Sequence, residues 1–382
     1  MNRTTPRRIL VSLPTINRPE RLKLDGILAF AHERHAPAWR VELDFGALSG
    51  HPARLTANAC DGIIAYVENE TRRDELLATG VPLVLIEDTL RPTRFPTSRQ
   101  VVTLLCDHEA EGRAAADYFL ARHFRHFAWF GPDRATDWSD ARRDSFAARL
   151  RESGFACAQV GERRRALSDE LRALPKPCAL FCVHDFRARE ALAATVDAGV
   201  AVPNELAILG MDDDAAICTT AAPALSSLST DDFRLGYSAG RILNDILRHA
   251  SGGRVIRFAC HRVTSRLSTD VDALADPFVA AVLRHARNHL NGKLDAATLA
   301  RRIGYSKHML QIRAERALGH TLGEEIRRLR LATAHDLIAE TQTPIADIAD
   351  TCGFTSLSHL SLRFKEAYGV TPLAYRQTQF VK

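Results

Sequence analysis

Short apolar runs alternate with longer amphipathic segments over residues 9–265, and this alternation gives the first indication of the fold. An apolar run of about 4–8 residues is typical of a strand that is buried on both faces. An amphipathic segment between two such runs is typical of a helix that covers a parallel sheet. The predicted strands are Ile9–Leu13, Gly62–Tyr66, Pro82–Ile86, Val102–Cys106, His126–Phe130, Cys178–Val183 and Ala207–Met211. The predicted helices are Arg21–Glu33, Glu109–Arg122, Ala141–Glu152, Phe186–Ala198 and Phe233–Arg248.

This stretch is long enough for two α/β lobes, and we predict two such lobes rather than one. In open α/β sheets, ligands bind just beyond the carboxyl ends of the strands. The residues that follow the predicted strands therefore matter most for function. They include Asp107, the pair His184-Asp185, and Asp212.

The pattern changes after residue 276, where almost every segment has the periodicity of a helix. Two segments share one plan, in which a short helix ends at a glycine, Gly304 in the first and Gly353 in the second. A second helix then begins after a capping residue, Ser306 in the first segment and Thr355 in the second. This is the plan of a helix-turn-helix, whose second helix enters the major groove of DNA.

The predicted organisation is an effector domain over 1–265, a hinge over 266–276 and a DNA-binding domain over 277–382. The two helix-turn-helix units are predicted at about 295–317 and 343–367. One long helix over Thr321–Glu340 would join them and hold their recognition helices about one DNA turn apart, roughly 34 Å. The inward face of this helix is predicted to consist of Leu322, Ile326, Leu329, Ala332 and Leu337.

The distribution of charge agrees with this division. Residues 276–382 contain 15 Lys and Arg against 10 Asp and Glu, whereas residues 1–275 contain 36 of each kind. The formal net charge of +5 therefore lies entirely in the predicted helical domain. An excess of positive charge confined to one domain is typical of a module that binds the phosphates of double-stranded DNA.

Other features argue against membrane, secreted and metal-dependent classes of protein. No apolar run approaches the ~18–20 residues that a membrane span needs, and the apolar part of the basic start, Ile9–Leu13, is shorter than a signal-peptide core. The eight cysteines include no CxxC pair, and several lie in apolar, strand-like stretches, as reduced thiols in a cytoplasm do. We therefore expect a cytoplasmic protein with no metal, no cofactor and no membrane partner.

An enzyme that acts on a sugar-like substrate is the main alternative from another class. His184, Asp185, Asp212 and the cysteines are residue types that catalysis uses. However, the chain has no G-x-S-x-G elbow, no Walker loop, no G-x-G-x-x-G and no metal-spaced His/Cys set. We therefore expect no enzymatic activity.

Three segments of residues 9–265 resemble the lac-repressor/periplasmic-binding-protein-like family. Asp107 begins a match to D-x4-G-x2-A, His184-Asp185 follows a buried strand, and Val202–Asp213 matches VPxxLxxxGxDD. The order and spacing of these segments carry the resemblance, since each is weak alone. The resemblance implies two α/β lobes with a sugar bound in the cleft between them.

The same resemblance implies which residues contact the ligand. Asp212 would accept hydrogen bonds from two sugar hydroxyls, and Arg142, in the R-x3-[FW] pattern, would donate hydrogen bonds. Trp138 would lay its apolar face on the sugar ring. Simpler explanations stay open, since Asp212 begins a run of three aspartates that could cap a helix and Trp138 could belong to the core. The other expected contacts are His184, Asp185, Glu20 and Arg21.

Residues 276–382 resemble the AraC/XylS family. The match is I-A-x-I-A-x3-G-F from Ile345 to Phe354, and it continues as far as Tyr375-Arg376. The family implies that exposed residues of the two recognition helices contact DNA, where Gln can pair with adenine, Lys and Arg with guanine, and Leu can meet a thymine methyl. The candidates are Lys307, His308, Gln311 and Arg313 in the first unit, and Leu357, Ser358, Ser361, Arg363 and the phosphate-contacting Lys365 in the second.

The order of the two domains is itself informative, because a lac-repressor-like effector domain usually follows its DNA-binding module rather than preceding it. The combination implies a transcription activator that responds to D-xylose or a related sugar. It also implies a homodimer formed through the effector lobes, with RNA polymerase as a further partner. Another sugar, a sugar acid or no ligand at all stays open as the signal, because small changes in a cleft redirect specificity.

Overall fold

The structure is a computed structural model. It describes residues 5–14, 17–33, 38–44, 60–67, 69–87, 98–161, 165–249, 252–258, 261–290, 294, 296–302, 304, 306–341 and 343–379. In chain order, the strands are β1 (Arg7–Ser12), β2 (Trp39–Leu43), β3 (Gly62–Val67), β4 (Leu83–Glu87), β5 (Val101–Cys106), β6 (His126–Phe130), β7 (Cys157–Val160), β8 (Cys178–Cys182), β9 (Leu206–Met211), β10 (Ser226–Thr230), β11 (Arg254–Phe258) and β12 (His261–Thr264). The helices of the first 264 residues are α1 (Arg18–His32), α2 (Glu70–Ala78), α3 (His108–Leu120), α4 (Asp137–Glu152), α5 (Leu167–Ala173), α6 (Asp185–Ala198), α7 (Ala215–Cys218) and α8 (Asp232–His249). The later helices are α9 (Pro277–Asn288), α10 (Ala296–Arg302), α11 (Lys307–Leu318), α12 (Leu322–Glu340), α13 (Ile345–Thr351), α14 (Leu357–Tyr368) and α15 (Pro372–Gln379).

Two six-stranded sheets, each covered by helices, form two lobes in the described part of the chain. Lobe I has the strand order β11-β5-β4-β3-β1-β2, and all of its strand pairs are parallel. Lobe II has the order β12-β10-β9-β8-β6-β7, and only its edge strand β12 is antiparallel to its neighbour. The prediction of two α/β lobes is confirmed.

The core of each lobe lies on both faces of its sheet. In lobe II, every residue of β8 and β9 is buried, with α5 and α6 packed on one face and α3 and α4 on the other. In lobe I, α1 and α8 pack together against one face, and α2 covers the other. Continuous apolar strands are what a parallel sheet covered on both faces requires.

The chain passes from lobe I to lobe II directly after β5, returns after β10, and passes to lobe II again after β11. The first passage places α3 in lobe II, where it packs against α4. Arg18, which follows β1 in lobe I, donates a hydrogen bond from its NH1 to the backbone oxygen of Asp212, which follows β9 in lobe II, at 2.6 Å. The carboxyl ends of the two sheets therefore face each other across a cleft.

The segment predicted as a hinge is packed on lobe II. Leu267–Thr269 forms one turn of 3-10 helix, in which Ser268 and Thr269 are fully buried. The hydroxyl of Ser268 donates to the carbonyl of Ile208 at 2.6 Å, and so ties this turn to β9. The segment is therefore a strap attached to lobe II rather than a loose linker, because its serine and threonine hydroxyls bond to the sheet.

The helical domain has two small cores that share α12. The first consists of side chains from α9, α10, α11 and the first half of α12, and the second of side chains from the rest of α12 with α13, α14 and α15. Gly304 and Gly353 have φ values of 74° and 72°, which favour glycine, so both predicted turns are confirmed. None of the helices in the described ranges is long and apolar enough to cross a membrane.

Two local predictions in this domain are wrong. The residue that caps α14 is Ser356, whose hydroxyl accepts from the backbone N–H of His359, while Thr355 bonds to the His359 side chain instead. In α12, Ala332 is exposed and Ala334 is buried in its place, because the inward face moves around the helix between the first core and the second.

Candidate effector cleft and DNA-binding surface

Asp212 lies at the carboxyl end of β9 in an unusual backbone conformation. Its φ is 100° and that of Asp213 is 51°, and both values are uncommon for residues other than glycine. The backbone N–H of Asp212 donates to the carbonyl of Leu228 at 2.8 Å, which holds this turn against β10. Strained backbone of this kind costs about 1–3 kcal/mol per residue and clusters at ligand sites.

The carboxyl group of Asp212 lies in an acidic environment. Burial raises its pKa well above the ordinary value, and the nearby Asp185, Asp232 and Glu20 raise it further, while Arg142 lowers it. Glu20 comes from α1 of lobe I and is itself buried, so carboxylates of both lobes converge on the cleft. Hydrogen bonds donated by a ligand would therefore stabilise the ionised form of this carboxyl group, which its surroundings disfavour.

Arg142 is buried and held by a partner that sequence reasoning missed. Its Nε and NH2 donate to Glu111 Oε2 at 2.8 and 2.6 Å, and its NH1 donates to the carbonyl of Val183 at 2.6 Å. Burial alone would raise the pKa of the Glu111 carboxyl, but the charge of Arg142 and the hydrogen bonds from Arg142 and His108 lower it to about 2. The guanidinium is thus fixed in place, 5.0 Å from the ring of Trp138.

His108 joins this group as the first residue of α3. Its Nδ1 lies 2.8 Å from Glu111 Oε2, and its ring centroid lies 6.0 Å from that of the half-buried Trp138. His108 and Glu111 are three residues apart in the first turn of a helix that follows a buried strand. This spacing is the signal that could have identified them from the sequence.

Two of the predicted ligand contacts have structural partners. Asp185 is buried, and its carboxylate accepts from Ser227 Oγ at 2.6 Å, the backbone N–H of Asp214 at 2.7 Å and Cys218 Sγ at 3.3 Å. Asp185 therefore supports the turn that carries Asp212, and its contact with a ligand stays a prediction. Burial raises its pKa to about 6.

His184 caps α6 beside the cleft. Its Nδ1 accepts a hydrogen bond from the backbone N–H of Arg187 at 3.2 Å. Burial and the charges of Arg142 and Arg187 lower its pKa to about 4, so its ring is neutral at pH 7. The remaining two candidates lie on α1, where Glu20 is buried near Asp212 and Arg21 is exposed. Arg18 of the same helix, which was not among the candidates, makes a contact across the cleft.

The first recognition helix, α11, exposes most of its candidate DNA contacts. Lys307, His308 and Gln311 are exposed, and so are the apolar Met309 and Ile312, which sequence reasoning did not include. Exposed apolar side chains among polar ones on such a helix are suited to contact thymine methyl groups.

Arg313 of α11 has partners within the protein. Its Nε and NH2 donate to the carboxylate of Asp276 at 2.8 and 2.6 Å, and its guanidinium lies 4.5 Å from the ring of Phe278. Arg313 therefore anchors α11 to the start of α9 through the carboxylate that caps that helix, and its contact with a base stays a prediction.

The second recognition helix, α14, exposes Leu357, Ser358 and Lys365, whereas Ser361 is half-buried. Arg363 is exposed and pairs with Glu366 one turn later at 2.8 Å. The roles of these residues in base or phosphate contact stay predictions.

The helical domain is docked on lobe II around the end of α3. Glu325 of α12 is fully buried, and its carboxylate accepts from His320 at 2.8 Å and from Arg328 at 2.7 Å, with His123 of lobe II at an ion-pair distance of 3.7 Å. Burial would raise the pKa of this carboxyl, but these three neighbours lower it. A second ion pair joins Arg287 of α9 to Asp272 of the strap.

Two family models match the chain. Residues 116–269 match the periplasmic binding protein-like domain, and residues 299–378 match a helix-turn-helix domain. The multiple antibiotic resistance protein MarA of Escherichia coli is 31% identical over 100 residues, which cover 26% of this chain and 79% of that protein. The chain belongs to the AraC-type helix-turn-helix family.

Relatives of this AraC-type regulator share both of its domains. The xylose operon regulatory protein of Haemophilus influenzae is 25% identical over 340 residues, covering 85% of this chain and 87% of its own. The protein of the same name from E. coli K12 is 26% identical over 330 residues, with 83% of each chain covered. A solved structure of the xylose-binding transcription activator XylR has the same fold, with a TM-score of 0.59 at 23% identity over 98% of this chain. The two resemblances inferred from the sequence are therefore confirmed, and the chain is a DNA-binding transcription regulator.

Proposed function

We propose that this AraC-type regulator responds to a neutral sugar, a pentose such as D-xylose, bound between lobes I and II. The observation that carries the proposal is the placement of Asp212 at the carboxyl end of β9, with the Arg142 guanidinium and the Trp138 ring on the same side of the cleft. Acceptor, donor and apolar surface together match the hydroxyls and the C–H face of a sugar. The names of its relatives support the choice of a pentose.

The charges of the cleft favour a neutral sugar over a sugar acid. Asp185, Asp232 and Glu20 all raise the pKa of Asp212, which means that a further negative charge there is repelled. The positive charge of Arg142 is already shared with Glu111 at 2.6 Å, and that of Lys23 with Asp232 at 3.5 Å. The sugar acid considered in the sequence analysis is thus the weaker candidate.

The regulatory part of the proposal concerns how the sugar changes DNA binding. The sugar favours the closed lobes, and it shifts this equilibrium only by its difference in affinity for the two states. The effector domain is assigned to 1–265, the strap to 266–276 and the DNA-binding domain to 277–382. The active form is a cytoplasmic homodimer that acts as an activator at promoter DNA together with RNA polymerase.

The test is a melting experiment with a panel of pentoses, hexoses and uronic acids. A sugar at a hundred times its dissociation constant adds about 2.7 kcal/mol of stability, so a true effector raises the melting temperature clearly. We expect a pentose to raise it and the uronic acids to have no effect. Promoter DNA is then titrated with and without the stabilising sugar. The proposal is wrong if no neutral sugar stabilises the protein, or if the sugar that does leaves DNA affinity and geometry unchanged.

A further inference from the structure

A buried nitrogen of His108 lacks a partner at the edge of the cleft. The His108 side chain is only 10% exposed, its Nδ1 is engaged with Glu111, and its Nε2 has no hydrogen-bond partner among the described residues. Buried polar atoms in folded proteins are nearly always hydrogen-bonded, so this nitrogen is available to a group that the described residues do not supply. The ring lies next to Trp138, with 6.0 Å between their centroids.

The neighbours of His108 determine which of its nitrogens carries the hydrogen. Glu111 is ionised and can only accept, so the Nδ1 atom 2.8 Å from its Oε2 must be the donor. In the other tautomer, Nδ1 would carry a lone pair that faces a carboxylate oxygen and is repelled by it. The NH2 group of Arg142 lies 3.3 Å from the same Nδ1 but donates to Glu111 at 2.6 Å. A neutral His108 therefore presents a lone pair on Nε2.

His184 has the opposite arrangement. Its Nδ1 accepts from the backbone N–H of Arg187, so in its neutral ring the hydrogen is on Nε2. One histidine beside the cleft thus has an Nε2 acceptor and the other an Nε2 donor. Hydroxyl groups both donate and accept, which makes a polyhydroxy compound the class of ligand that this pair suits.

We propose that His108 contacts the effector directly, with its Nε2 accepting a hydrogen bond from one sugar hydroxyl, and that Glu111 is the positioning residue that fixes its tautomer. The inference rests on the proposed function, since it requires a sugar in the cleft. It makes His108 a determinant of specificity, because an analogue with hydrogen or fluorine in place of that hydroxyl has no proton to donate. A site built to bond a hydroxyl discriminates strongly against the analogue that lacks it.

The test combines variants of the full-length protein with analogues of the ligand. Calorimetry measures the affinity of the wild type, His108→Asn and His108→Gln for D-xylose and for its monodeoxy analogues. Asn retains a group near Nδ1 and removes the one at Nε2, whereas the Gln amide reaches the Nε2 position. His126→Asn is the matched control, because His126 is exposed at the amino end of β6.

We expect His108→Asn to bind D-xylose about tenfold more weakly or worse, with partial recovery in His108→Gln and no change in His126→Asn. One monodeoxy analogue should bind the wild type about tenfold more weakly than D-xylose does. The same analogue should bind His108→Asn as tightly as D-xylose does. Circular dichroism and melting without sugar establish that each variant is folded.

The outcomes separate this inference from the function on which it rests. A wild type that binds no neutral sugar overturns the proposed function and the role of His108 with it. If the wild type binds D-xylose and His108→Asn binds it with the same affinity, the role of His108 alone is overturned. The same holds if each analogue loses as much affinity in His108→Asn as it does in the wild type. If neither variant folds, the ligand series decides, because equal affinity of the wild type for all monodeoxy analogues contradicts the proposed hydrogen bond.

Discussion

Replacing Glu325 by Gln tests whether the contact between lobe II and α12 carries the signal. The carboxylate is fully buried between His123 of the effector domain and His320 and Arg328 of the DNA-binding domain. Gln keeps the shape of the side chain and some of its hydrogen bonds, but it loses the negative charge with which all three neighbours interact. Arg328 is 48% exposed and His320 38% exposed, so both can regain water, which limits the loss.

From these contacts we expect Glu325→Gln to lose about 1–2 kcal/mol of stability, a factor of roughly 5–30 in the ratio of folded to unfolded protein. The pKa of Glu325 is lowered in the folded state, so its contribution is present above the unfolded pKa of about 4.3 and is lost as the pH falls through the folded pKa. The difference in stability between wild type and variant should therefore shrink as the pH falls below about 4.3.

Urea unfolding at several pH values measures the stability, and a DNA titration with and without sugar measures the coupling. Typical coupling is about 1–3 kcal/mol, or 5–150-fold in affinity, and Glu325→Gln should reduce it while leaving sugar affinity unchanged. Glu152→Gln is the control, because Glu152 is exposed at the end of α4 in lobe II. If Glu325→Gln has wild-type stability and retains the full effect of sugar on DNA binding, the contact neither docks the domain nor transmits the signal.

Three further substitutions address the cleft and the DNA surface. Asp212→Ala should abolish stabilisation by sugar and leave DNA binding without sugar intact; a sugar-induced rise in melting temperature that persists in this variant would refute the site. Arg18→Ala removes the 2.6 Å hydrogen bond between the lobes and should weaken sugar affinity by up to about tenfold, as measured by calorimetry; unchanged affinity would show that this bond contributes nothing to closure. Gln311→Ala should cost about 1–3 kcal/mol at one base position in a set of promoter variants, whereas a uniform loss on every sequence would identify Gln311 as a backbone contact.

The sequence predicted the central strands of both sheets except β10, because each of the others contains a continuous apolar run. The strands that it missed are β2, β7, β11 and β12, which are the edges of the two sheets, and β10. Edge strands such as Trp39–Leu43 and Arg254–Phe258 are half-exposed and mix polar with apolar residues, so they lack that signal. In β10, Ser226 and Ser227 are buried although polar, because their hydroxyls have partners inside the protein.

The candidate site shows the same limit. Asp212 could be predicted because its place after a buried strand follows from the order of residues alone. The role of Asp185 could not, because its three donors come from parts of the chain about 30–40 residues away that only folding brings together. Glu111 and Arg142 are likewise 31 residues apart, and they meet because α3 packs against α4.

The helix α3 extends from the candidate effector cleft to the contact with the DNA-binding domain. Over its 13 residues, about 20 Å, it runs from His108 beside the cleft to the turn at Ala121, whose carbonyl accepts from Arg287 and Arg328 of the DNA-binding domain. Lobe II therefore contacts the DNA-binding domain at the end of the same helix that begins beside the cleft. If the proposed homodimer forms through lobe I, a change in the angle between the lobes of each copy would change the distance between the two DNA-binding domains, and so the spacing of operator half-sites that the pair can span.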